Sequence, residues 1–269
     1  MTSEDPGRAD RAPDTTQPRS GPARSAVRTP DAAVLGFDQV VAGYGTTTVL
    51  RQVSFRVRPG QVVALLGPNG AGKTTVLRTA SGIVRPRSGS VAIDGIEVCK
   101  EAPHRRAERG LCLIPEGRGV FKSLTVRENL RLQVRPHDAG SDEAIERALS
   151  VFPALKSRMR QAAGHLSGGQ QQMLSLARAY VTSPRVILLD EVSMGLAPRV
   201  VDEMFEALRN LAATGTAMLI VEQYVTRAMA MADVVVLLNK GAVSYDGPPS
   251  ELDEQAVLRG YLGVEQDVT

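Results

Sequence analysis

At 269 residues, with 43% apolar side chains and a net charge of +3, the chain can bury one sizeable core or two small ones and has no charge excess demanding a nucleic-acid partner. Its two cysteines, Cys99 and Cys112, and its three histidines suit neither a disulfide framework nor a metal-ligand cluster, so reduced thiols are expected. No apolar run reaches the roughly 20 residues that span a bilayer and the N-terminus is too polar for a secretory signal, so a membrane role has to come through a partner, without direct insertion.

Residues 1–33 are rich in proline, with five arginines balanced by five acids and almost no large apolar side chains. Such a segment cannot offset its ordering entropy and is expected to be a disordered tail. Order is expected from about residue 34, in one unit running to residue 269. FDQVV (37–41), TTVLRQVSFRV (47–57) and VVALL (62–66) read as strands, separated by the glycines around Tyr44 and by the Pro59-Gly60 turn. Tyr44, in VAGYG, reads by itself as a turn aromatic. The unbroken apolar run 62–66 suits a parallel strand covered on both faces.

That strand runs into GPNGAGKTT, in which Gly67, Gly70, Gly72, Lys73 and Thr74 have the spacing G-x-x-x-x-G-K-T, with Asn69 and Thr75 completing the loop. Glycines at these places let backbone N–H groups approach phosphate oxygens, and the helix that follows presents its positive end. Lys73 would reach the β- and γ-phosphates and the Thr74 hydroxyl would ligate Mg²⁺.

A short helix is expected over residues 74–82, then a hairpin over 89–98 turning at Asp94-Gly95, which implies an antiparallel subdomain. A strand at 111–114 precedes a mostly helical stretch from about 125 to 180. Val186 to Leu189 is a second apolar strand, ending on Asp190 and Glu191. Helix 199–213, strand 217–221, helix 224–232 and strand 234–238 continue an α/β alternation with a mostly parallel sheet. Ligands of such sheets bind at the carboxyl ends of the strands, where both the Gly67 loop and the Asp190–Glu191 pair fall.

LSGGQQQ (166–172) reads by itself as a helix start capped by Ser167. With the phosphate loop upstream and the strand ending Asp-Glu downstream, it makes residues 34–263 resemble the nucleotide-binding subunit of an ATP-binding cassette (ABC) transporter. The resemblance implies an α/β fold: a P-loop NTPase core with a mostly parallel sheet, an antiparallel β subdomain and an α-helical signature subdomain. It implies a head-to-tail pair in which ATP lies between one subunit's phosphate loop and the other's Ser167, Gly168, Gly169 and Gln170. Asp190 would hold Mg²⁺ through its water shell, Glu191 would be the general base, and Tyr44 would stack on adenine. The surface from Glu116 to Glu128 would face a permease.

Several positions depart from the family's usual pattern. Glu116 stands where most members carry Gln, and is assigned with Thr74 and Asp190 to the Mg²⁺ and nucleotide site. Gln223 stands in place of a switch histidine; its amide can donate to a γ-phosphate oxygen but cannot titrate. Ala197 replaces a usual Asp, and Val192, where Pro is common, receives no functional interpretation. Read together, PEGRGVF, LSGGQQQM, GLAP, VEQ and the terminal YLG are similar to the second ATPase subunit of branched-chain amino acid importers. That likeness implies ATP and Mg²⁺ as cofactors, a second ATPase subunit in a hetero- or homodimer, permease partners, and a place on the cytoplasmic face of the membrane. The same machinery serving urea, short amides or export is the nearest alternative. A soluble ABC ATPase acting on ribosomes or DNA is more distant, since neither a second cassette nor a long heptad insertion is present. A regulatory module without turnover would account for the departures, but Glu191 argues against it.

Overall fold

Ten strands and seven α-helices are built by residues 33–117, 119–134 and 140–253, the residues described in this computed structural model, all within one structural unit. The expected tail, apart from residue 33, and the terminal YLG lie outside them. In chain order, β1 (Leu35–Tyr44), β2 (Thr47–Val57) and β3 (Val62–Leu66) lead to α1 (Lys73–Ala80), β4 (Ser88–Ile93), β5 (Ile96–Glu97), α2 (Pro103–Glu108) and β6 (Leu111–Ile114). Then come α3 (Val126–Arg131), α4 (Ser141–Val151), α5 (Gly168–Val181), β7 (Val186–Asp190), α6 (Pro198–Ala213), β8 (Ala217–Val221), α7 (Val225–Met231), β9 (Val234–Asn239) and β10 (Ala242–Gly247).

Two sheets share the β-structure. One is antiparallel, in the order β2-β1-β4-β5; the other runs β10-β9-β3-β8-β7-β6 and is parallel apart from the β10–β9 edge pair. Strands β3, β7 and β8 are buried at every residue, as their unbroken apolar sequences require for interior strands covered on both faces. β10 went unseen in the sequence because an edge strand with alternating partial exposure, spelled AVSYDG, carries turn residues and no apolar run. α2 was missed because six residues are too few for a helical period to register.

The core lies in three clusters. The first packs α3, α4, α5 and α6 against one face of β6, β7 and β8; the second fills the space between the sheets; the third sits under α7. Helix α1 lies between the sheets, with Val76, Leu77 and Ala80 in the second cluster. Its C-terminal end is held by Arg106 of α2, fully buried, which donates to Thr79 O at 2.7 Å and Ala80 O at 2.8 Å. A guanidinium there satisfies carbonyls that have no helical partner and complements the negative end of the helix. The helix that follows the phosphate loop is thus fixed on both flanks and at its far end.

Candidate functional site

The loop between β3 and α1 is fixed by backbone proximity before any side chain acts. A Cβ on Gly67 would sit 2.1 Å from Leu238 O of β9, so only glycine lets the loop leave the sheet there. Asn69 and Gly70 are exposed at the loop's tip and Gly72 caps α1. The first bond of α1 runs from Val76 N–H to Gly72 O at 2.9 Å, which directs the first-turn amides of Lys73, Thr74 and Thr75 out of the helix end. The Thr75 side chain is buried, so its contribution to the loop is its backbone.

Lys73 curls over the loop, its Nζ donating to Gly67 O at 2.6 Å and Pro68 O at 3.1 Å. Burial holds its pKa below the ordinary lysine value, while the charges of Glu191 and Asp190 push it back up. Thr74 Oγ1 donates to Asp190 Oδ1 at 3.2 Å, joining the helix start to the end of β7. Burial, the largest influence, raises the Asp190 pKa; Thr74 opposes it, and Glu191 and Glu116 add to it. A hydroxyl and a carboxylate converging beside an anion-binding loop are a hard, all-oxygen donor set, and suit a small divalent cation that keeps water and takes its remaining ligands from phosphates.

Glu191 follows directly, with φ of 45°, a left-handed conformation that only strong local constraint holds in a non-glycine residue. Its N–H donates to Val221 O at 2.8 Å, and Gln223 Nε2 donates to its Oε2 at 3.3 Å. Gln223 thus touches the Glu191 carboxylate, a contact the sequence did not indicate. Glu116 is exposed after β6 and lines, with Glu191, Gln171 and Gln172, a cleft of about 360 Å³.

The residues 167–170 are elsewhere. Ser167 caps α5 in a reciprocal pair, with Gln170 N donating to Ser167 Oγ at 3.3 Å and Ser167 N donating to Gln170 Oε1 at 3.1 Å. Ser167, Gly169 and Gln170 line a groove with Phe152, Met173 and Val200 that contains no phosphate-loop residue. Gly168 begins the helix, and Gly169 is buried against α6, where its Cβ would meet Val200 Cγ1 at 2.0 Å.

Ala197 occupies the N-cap of α6 without a side-chain cap; Pro198 at the first helical position supplies a preset φ instead. Val192 is buried in the core. Tyr44 closes β1 with 44% of its surface exposed, and Arg78 Nη1 of α1 donates to its hydroxyl at 3.3 Å.

Sequence reasoning missed one pair. Glu222, 1% exposed at the end of β8, accepts from Ser193 N at 3.1 Å and from the Ser193 hydroxyl. The signal was present: an acid directly after five buried apolar residues has no solvent to face. Burial pushes its carboxyl from 4.5 up to about 7, against the hydrogen bonds from Ser193 and the Gln223 amide, with Glu191 adding to the rise. Below pH 4.5 Glu222 is neutral in both folded and unfolded chains. From there to about pH 7 the folded state binds the extra proton, so stability falls as pH rises through that window. Glu222→Gln removes the titration. The variant is expected to gain about 3 kcal/mol on the wild type between pH 4.5 and 8, read from urea midpoints; a constant difference across that range would refute the assignment.

Comparison with known proteins places the site in a family. The family model described as ABC transporter matches residues 50–194. The chain is 38% identical to the high-affinity branched-chain amino acid transport ATP-binding protein BraG of Pseudomonas aeruginosa, over 86% of this chain and 100% of that protein. It is 35% identical to the lipopolysaccharide export system ATP-binding protein LptB of Acidithiobacillus ferridurans, over 86% of this chain and 97% of that one. A solved structure of the ATP-binding subunit of an ABC transporter superposes with a TM-score of 0.72 at 29% identity, covering 84% of this chain and 95% of that chain.

Proposed function

The chain belongs to the ABC transporter family, as an ATP-binding ATPase subunit, and from that premise we propose that it energises an importer of branched-chain or related hydrophobic amino acids. The observation that carries the finer reading is the likeness to BraG along the whole of that protein. The nearly equal likeness to an export ATPase makes export the second reading.

In the proposed cycle the loop amides and Lys73 would bind the ATP phosphates, and the oxygens of Thr74 and Asp190, with Glu116 nearby, would hold Mg²⁺. Bound there, Mg²⁺ would offset charge on the phosphate oxygens. Glu191 accepts the proton of the attacking water, and Gln223, already hydrogen-bonded to it, orients that carboxylate and donates to the γ-phosphate. Tyr44 stacks on the adenine. The groove at the Ser167 cap includes no residue of the Gly67 loop, which supports completion of each site by a second ATPase subunit, whose own cap would supply N–H groups to the γ-phosphate.

No helix among the described residues is long and apolar enough to cross a membrane, so a permease would provide the membrane contact. Phe121, half-exposed with the Arg178 guanidinium 4.9 Å from its ring centroid, and exposed Leu132 are apolar side chains available to such docking. The cytoplasmic side of the membrane is where ATP would reach it.

The test is reconstitution with candidate permeases and a second ATPase subunit in lipid vesicles. ATP-dependent uptake of labelled leucine is expected only when this chain is included. ATP turnover that no amino acid stimulates, in an assembly that exports a lipid-linked substrate, would transfer the reading to export.

A further inference from the structure

Tyr44 is carried at the end of β1 by a short turn, Gly45-Thr46, that no core residue covers, yet a stacking aromatic needs a fixed height above its partner. Beyond the ladder pair Tyr44–Thr47, one side chain ties this turn down. Arg87, in the segment between α1 and β4, donates from Nη2 to Gly45 O at 2.8 Å and Thr47 O at 3.0 Å, and from Nη1 to Thr48 Oγ1 at 2.8 Å. Its own backbone N–H donates to Val41 O at 2.7 Å, so the anchor is itself fastened to β1. A planar guanidinium can serve three acceptors on both sides of a turn at once, which a lysine ammonium on a flexible stem does not reproduce.

The β1–β2 ladder reaches the turn, with Tyr44 paired to Thr47, but it is irregular there. β1 and β2 slip register between Ala42 and Gly43, Gly45 takes φ of 52°, and residues 44–47 are exposed or half-exposed. From the opposite side, Arg78 of α1 donates to the Tyr44 hydroxyl. The ring is thereby held at its backbone by Arg87 and at its tip by Arg78, with 44% of the residue's surface left open.

We infer that Arg87 is a positioning residue for nucleotide base recognition: it touches no nucleotide, and sets the backbone of Tyr44 so that the ring is preorganised to receive the base. The inference rests on the reading that Tyr44 stacks on the base.

Binding of Mg-ATP and of Mg-tripolyphosphate, which has the phosphates and no base, to the full chain separates the possibilities. Tyr44→Ala is expected to weaken ATP binding about tenfold, as loss of one aromatic stack does, and to leave tripolyphosphate within twofold. Arg87→Ala is expected to reproduce most of that loss for ATP alone. In the Tyr44→Ala background, Arg87→Ala should then add nothing, because it acts through a ring no longer there. Equal weakening of both ligands by Arg87→Ala, or full additivity in the double variant, would overturn the role given to Arg87. Unchanged ATP binding in Tyr44→Ala would instead overturn the stacking reading, and the inference with it.

Discussion

Replacing Glu191 by Gln is expected to slow ATP turnover by about 10²–10⁴ while leaving ATP bound, because the side chain keeps its shape and loses its capacity to accept a proton. The local geometry makes this a clean substitution. The backbone at Glu191 is held at φ of 45° by its hydrogen bond to Val221 O and by Met194 N–H donating to Glu191 O at 3.1 Å, and neither contact involves the carboxylate. The side chain's hydrogen bond from Gln223 Nε2 survives if the new amide presents its oxygen. Lys73 loses one of the two charges that raise its pKa, yet Asp190 remains. Steady-state phosphate release, with gel filtration in excess ATP, reads both consequences: slow turnover and accumulation of a nucleotide-bound dimer. Turnover within threefold of the wild type would remove Glu191 from the role of general base.

Gly169→Ala is expected to destabilise the fold by about 1–3 kcal/mol and to cut turnover by about 100-fold, with ATP binding to the variant's own phosphate loop intact. The added methyl would lie 2.0 Å from Val200 Cγ1 and 3.3 Å from Val200 Cβ, so α5 and α6 must part at their N-terminal ends. The start of α5 is where Ser167 and its neighbours would meet the partner's ATP, and a displacement near 1 Å suffices to lose the alignment. Val200→Ala removes both γ-methyls and leaves a contact of 3.3 Å, tight but tolerable. The double variant Gly169→Ala/Val200→Ala should therefore recover most of the activity. Failure to recover, with a normal urea midpoint, would mean that the glycine is required at the phosphate itself and that the α5–α6 contact is incidental. The likeness to the family assigned Gly169 to phosphate binding; the structure adds a packing reason internal to this chain.

Some features were legible because one physical constraint acts on consecutive residues. The strands 47–57, 62–66 and 217–221 were read to their end residues, since burial on both faces, or an apolar run bounded by turn residues, leaves a pattern a few residues long. The loop at Gly67 and the carboxylates at Asp190 and Glu191 were legible for the same reason: strand, turn and helix start follow one another without a gap. The Ser167–Gln170 cap is likewise a four-residue device, complete within its own sequence.

Other features depend on residues far apart in the chain, and no window of sequence holds them. Arg87 clamping the Tyr44 turn spans about 40 positions, and its PRSG setting reads as an ordinary loop. Arg106 closing the end of α1, and Ser193 paired with Glu222, are the same kind of case.

The Gly67 loop, the carboxylates Asp190 and Glu191 and the family to which they belong could be read directly, because each is specified by side chains that are neighbours along the chain. How those parts are held follows from the three-dimensional packing. It set Thr74 against Asp190, Gln223 against Glu191 and Gly169 against Val200, and gave the Ser167 cap a groove of its own. Contacts of that kind arise when apolar faces pack, and packing fixes distances between elements that local sequence leaves free.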